Sequence, residues 1–118
     1  MRDIEPSTTF KLRAPGVSEH AIYFTIVGET EPKAFFVNSK EMASFQWITA
    51  LMTSYSKHLK QGVDVKELIR DMKCTFDPKG SYIIPDGSNT QVPSIVAHFG
   101  ILLEKWLKQE KGNGNKIR

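Results

Sequence analysis

His20-Ala21-Ile22-Tyr23-Phe24-Thr25-Ile26-Val27 decides the class of this fold. Aromatic and β-branched residues follow one another almost without a break, the composition of a strand rather than a helix. Side chains alternate along a strand, so Ile22, Phe24 and Ile26 share one face and Tyr23, Thr25 and Val27 the other. The first face is core. The second is half apolar, so it is either covered by another element or kept as a contact surface.

Working outward, Gly28-Glu29-Thr30-Glu31-Pro32 is a polar turn and Ala34-Phe35-Phe36-Val37 resumes the strand pattern, which predicts an antiparallel hairpin. Upstream, Phe10-Lys11-Leu12 is a short alternating piece before the turn signal Ala14-Pro15-Gly16. A two-stranded hairpin is marginal in water and must lie on something. The partner is a long helix: Met42, Phe45, Ile48, Met52, Tyr55 and Leu59 recur every three or four residues, and Trp47 and Leu51 widen the stripe. Asn38 and Glu41 have the spacing of a capping box before it, and Gly62 suits the left-handed position that ends it.

Asp64 and Glu67 repeat the capping logic for a shorter helix whose buried face is Val65, Leu68, Ile69 and Met72. Asp77-Pro78-Lys79-Gly80 is a turn, Ser81 to Ile84 a short strand, and Pro85 to Asn89 a loop. A third helix starts around Pro93, with Ile95, Phe99, Leu102, Leu103 and Trp106 as its stripe. The expected fold is α+β: an N-terminal antiparallel hairpin or small sheet packed on three helices, the first and last long. Residues 1–109 form one domain, and 110–118 read as a basic flexible tail.

These pieces, in this order, resemble the small C-terminal module of adenosylcobalamin-dependent ribonucleotide reductases, named after its Thr-Ser-Cys-Pro-Asp motif. Tyr23 to Val27 and Ala34 to Val37 look like its hairpin, Ile48 to Ser56 like its long helix, and Gly62 to Lys73 like its Gly-Val pair and short helix. The likeness spans about residues 20 to 107. In the signature, Thr90 and Pro93 match, while Gln91, Val92 and Ser94 stand where the module has serine, cysteine and aspartate. With valine at the cysteine position, no thiolate redox or metal role is inherited there. The resemblance implies a stand-alone copy without the reductase, of the kind phages and prophages encode.

At 118 residues the chain is too short for a reductase barrel. Its 16 basic and 13 acidic residues give a net charge of +3, too small a surplus to mark a nucleic-acid binder by itself. One cysteine, Cys74, excludes an internal disulfide and an all-cysteine metal site, fits a reducing compartment, and reads as a small core hydrophobe. Met1 to Pro6 lacks the apolar run of a signal peptide and no stretch is apolar enough to span a membrane, so the expected location is cytoplasmic.

Catalytic chemistry finds no foothold in the sequence. His20, His58 and His98 each stand alone in their own segments, no Gly-x-Ser-x-Gly elbow or phosphate loop is present, and the acids Asp64 and Glu67 are explained as caps. No catalytic, cofactor or metal residues are assigned. A nucleotide-acting enzyme would require one of those histidines in a closed pocket with a carboxylate in hydrogen-bond reach. Contact residues are sought instead in two places. Lys57, His58 and Lys60 end the long helix near Lys66 and Arg70 of the next; Lys79, Ser88, Asn89 and Thr90 belong to the loop leading to the last helix, whose amide-rich start suits an anion.

Two readings follow. The first is a non-catalytic binding module related to the reductase C-terminal domain, holding a host or phage protein or a nucleotide-type small molecule, with a phage accessory or counter-defence role as its setting. The alternative is a nucleic-acid-binding protein that uses the Lys57 to Arg70 patch and the basic tail. Tyr23 on the half-apolar face, or an unpaired strand edge, also suits a homo-oligomer.

Overall fold

The computed structural model describes residues 6–41 and 45–116, with side chains to residue 109. Strands β1 (Ser7–Leu12), β2 (Ile22–Val27) and β3 (Ala34–Ser39) come first. Helices α1 (Gln46–Lys60) and α2 (Val65–Cys74), the short strands β4 (Tyr82–Ile83) and β5 (Gln91–Val92), and helix α3 (Ile95–Lys116) follow. The fold is α+β. The hairpin gains a third strand because the alternation around Phe10 extends back to Ser7, giving an antiparallel sheet in the order β1-β2-β3.

The alternation in β2 sorts its side chains as the sequence implies. Ile22, Phe24 and Ile26 are buried, while Tyr23 is exposed and Thr25 and Val27 are half-buried on the outer face, opposite Thr9 and Phe36 among others. Beneath the sheet, Phe24 stacks on Phe99 of α3 with ring centroids 4.4 Å apart and planes 4° from parallel, an arrangement that adds about 1 kcal/mol beyond the area it buries. The Trp106 indole N–H donates to Thr8 Oγ1 at 3.0 Å, fixing the far end of α3 to β1. Helix α1 lies against β3, where the Phe35 amide donates to Ser56 Oγ at 3.0 Å and that hydroxyl donates to the Met52 carbonyl.

The stripe read for α1 is buried at Phe45, Ile48, Met52 and Tyr55 and half-buried at Leu51 and Leu59, whereas Trp47 is exposed. Gly62, at φ +89°, ends the helix: its amide bonds to the Leu59 carbonyl and that of Val63 to His58. The capping box does not form. Asn38 and Ser39 finish β3, α1 begins after Phe45 with no side-chain cap, and Met42 lies outside the described residues. Glu41 reaches across the chain instead, accepting from the Ser18 hydroxyl and the amides of Glu19 and His20. Three donors on a distant turn outcompete one local amide, and they hold the Glu41 carboxyl below its ordinary range, the Ser18 bond most of all.

Two further expectations need correction. Cys74 is exposed: two residues past the buried Met72, it points to the opposite side of α2. Helix α3, expected to begin around Pro93, starts at Ile95, just after Gln91 and Val92 pair with Ile83 and Tyr82 as a second small sheet. At its other end α3 continues to Lys116, so the backbone read as the start of the tail is helical that far. No helix among the described residues is long and apolar enough to cross a membrane.

Candidate functional site

The Asp64 side chain accepts from the Lys66 amide at 3.0 Å and sets where α2 begins. From that start, Lys66, Ile69, Arg70 and Lys73 fall at i, i+3, i+4 and i+7, one strip of the helix. Glu104, Leu107 and Lys108 make a matching strip on α3. The two helices pack closely because residue 100 is glycine: a Cβ there would stand 2.9 Å from Met72 Cβ and 3.2 Å from the Lys73 amide nitrogen. Between the strips lies a groove of about 530 Å³ lined by those seven residues.

Its charge is lopsided. Lys73 pairs with Glu104, and that bond, ahead of the nearby charges of Lys73 and Lys108, holds the Glu104 carboxyl below the usual carboxylate range. Glu104 is the one acid among the described residues of the lining. Lys66, Arg70 and Lys108 are therefore left without an ion-pair partner among the described residues, around a floor formed by Ile69 and Leu107. Such a groove can hold phosphate or carboxylate groups among its cations and a flat apolar body on its floor.

The other sequence candidates lie elsewhere. Lys57, His58 and Lys60 occupy the last turn of α1, where positive charge suits the exposed carbonyls, and none lines the groove. The 77–90 loop spends its polar groups on itself: Asp77 accepts from the Lys79 amide, Asp86 from the Ser88 amide, and the Ser88 and Thr90 hydroxyls bond to each other at 2.7 Å. Asn89 adopts φ +62°, a turn conformation that asparagine tolerates. The start of α3 is buried and capped by a side chain, Ser94 Oγ accepting from the Ala97 amide at 3.0 Å.

His98, read from the sequence as one of three histidines standing alone in their segments, has a buried partner. It is 4% exposed, and its Nδ1 lies 2.7 Å from the Tyr82 hydroxyl. Burial pushes its pKa down to about 4, the charge on Lys105 adding and that on Asp86 opposing, while burial pushes the Tyr82 phenol up. The phenol thus keeps its proton, and with no other acceptor for that O–H among the described residues we assign it as donor to Nδ1, placing the imidazole proton on Nε2. His98 also lines a second cleft, between β1, residues 84–86 and α3. Among the described residues no carboxylate hydrogen-bonds to His98 and no three metal-binding side chains cluster.

The stretch Thr90-Gln91-Val92-Pro93-Ser94 joins all these parts. The Thr90 carbonyl accepts from Ile84, Val92 is 2% exposed within β5, the Pro93 carbonyl accepts from Asp77, and the Ser94 hydroxyl donates to the Thr75 carbonyl while capping α3. This stretch lies within residues 3–107, which match the family model of the TSCPD domain. The chain belongs to the TSCPD domain family. No curated protein and no solved structure matches it significantly.

The TSCPD domain takes its name from the motif in ribonucleotide reductase C-termini, and the match covers both sheets and most of α3. In this TSCPD domain the 90–94 stretch works as a junction. Ser94 serves it as the cap of α3. Val92 within it is sealed from solvent.

Proposed function

We propose that this TSCPD domain is a non-catalytic binding module that holds a nucleotide-type ligand in the groove between α2 and α3. Phosphates sit among Lys66, Arg70 and Lys108, and the base or sugar lies on Ile69 and Leu107. One observation carries the reading: two helices bring four cations to a single apolar-floored groove in which the one acid among the described residues, Glu104, is occupied by Lys73. Kinship with a domain of a nucleotide-reducing enzyme supports the choice of ligand. Sequestering a nucleotide signal in a host or phage cytoplasm is the accessory or counter-defence role such a module suits.

The test is calorimetric titration with adenosine, its mono- and triphosphate, the deoxy forms, a cyclic dinucleotide and a single-stranded oligonucleotide. Affinity should rise with phosphate number, weaken with salt, and fall at least about tenfold in a Lys66→Glu, Arg70→Glu variant. Equal binding of adenosine and its phosphates, or no binding by any, overturns the reading. Oligonucleotide binding stronger than that of any nucleotide, with a steep salt slope, favours the nucleic-acid alternative. Capture of an acidic protein partner by the same cations would replace the small ligand.

A further inference from the structure

The second cleft has walls of a different character. Phe10 and Leu12 of β1 and Ile101 and Leu102 of α3 line a space of about 420 Å³, with Lys11, Arg13, Asp86 and Lys105 also in the lining. Such a volume is within the usual range for a small-molecule site. Among the described residues of the lining, three of the four charged groups are cations. The carboxylate of Asp86 already accepts from the Ser88 amide at 2.9 Å.

His98 gives this space its polarity. Tyr82 occupies Nδ1 and, with the imidazole proton assigned to Nε2, that buried donor stands without a partner among the described residues, in a side chain that lines the cleft. A buried N–H left unpaired is costly, and native interiors rarely keep one except where something else supplies the acceptor. The Tyr82 bond also fixes the ring, so the donor is held in place before any ligand arrives.

We propose that this cleft is a second binding site, separate from the α2–α3 groove, for a small aromatic anion whose acidic group takes the His98 Nε2–H and the cations while its ring lies on the apolar walls. Each part answers one feature. The net positive lining selects an anion over a neutral body of equal size, and the fixed donor selects an acceptor over an ammonium group. Carboxylate and phosphate share this chemistry.

The experiment uses the full chain, labelled with ¹⁵N, and follows the His98 ring nitrogens and the backbone amides during titration with benzoate, phenyl phosphate and benzyl alcohol. At least one anion should shift His98 and the amides of Lys11 and Leu12 saturably, with a Kd on the order of millimolar as befits a fragment. Benzyl alcohol should bind about tenfold more weakly or not at all, and the stronger anion identifies the acidic group. Arg13→Ala and Lys105→Ala, both at exposed positions, should each weaken the better anion about fivefold or more, and Lys79→Ala should leave it unchanged. Equal binding of benzyl alcohol, shifts confined to residues of the α2–α3 groove, or no response to either anion overturns the proposal.

Discussion

The Tyr82 hydroxyl and His98 Nδ1, 2.7 Å apart in the interior, tie the small second sheet to α3. Tyr82→Phe keeps the ring and removes the donor, leaving Nδ1 without its partner. Unfolding in urea should show a loss of about 1–3 kcal/mol with the slope unchanged. A smaller loss would mean that Nδ1 is solvated in the native state.

His98 also sets a pH dependence. In the unfolded chain it takes up a proton near its ordinary value of 6.5, whereas in the folded protein it does so only at about 4. Between these values the unfolded state binds more protons, so stability is complete above about pH 6.5 and declines as pH falls through about 4, by at most about 3 kcal/mol. Glu41, Asp86 and Glu104, each held below its ordinary value, add losses only at lower pH. His98→Gln retains an acceptor for Tyr82 and cannot titrate. Denaturation midpoints across pH 4 to 7 should be flatter for that variant than for the wild type.

Gly100→Ala tests the helix contact that forms the α2–α3 groove. The added methyl meets Met72 Cβ and the Lys73 backbone, neither of which is the free end of a side chain. Overpacking should cost about 1–3 kcal/mol despite the better helix propensity of alanine, and should weaken any ligand of the groove by parting its two strips. Thermal melts and titrations of the same variant check both effects.

Thiol labelling separates the two positions at which cysteine matters. Cys74 is exposed and should react with a thiol reagent in the native protein. Val92→Cys places a second thiol where the residue is 2% exposed, and that one should react only when denaturant is added. Rapid labelling of both in native conditions would show that β5 is open.

Local signals carried most of the architecture. The alternation through Ile22, Phe24 and Ile26, the stripe through Ile48, Met52 and Tyr55, and the Asp64 cap each act within a few residues, so they are readable without knowing what packs on them. Failures came where a side chain serves a distant segment. Glu41 looked like a cap for the next helix and instead clamps residues 18–20, and Ser94 bonds back to Thr75. The same holds for the sites. Lys66 and Arg70 were legible as basic residues on a short helix, but their union with Lys73, Glu104 and Lys108 depends on a close approach at Gly100. His98 follows Ile95 by three positions, on the buried side of α3, and that spacing was the one available hint that its imidazole turns inward.

The 90–94 stretch joins its neighbours without any reactive group. Its carbonyls and its serine hydroxyl fasten a loop, a two-residue strand and the launch of the last helix, and none of these duties requires sulfur. The joinery of this chain is therefore indifferent to redox conditions, which can reach only the exposed thiol of Cys74.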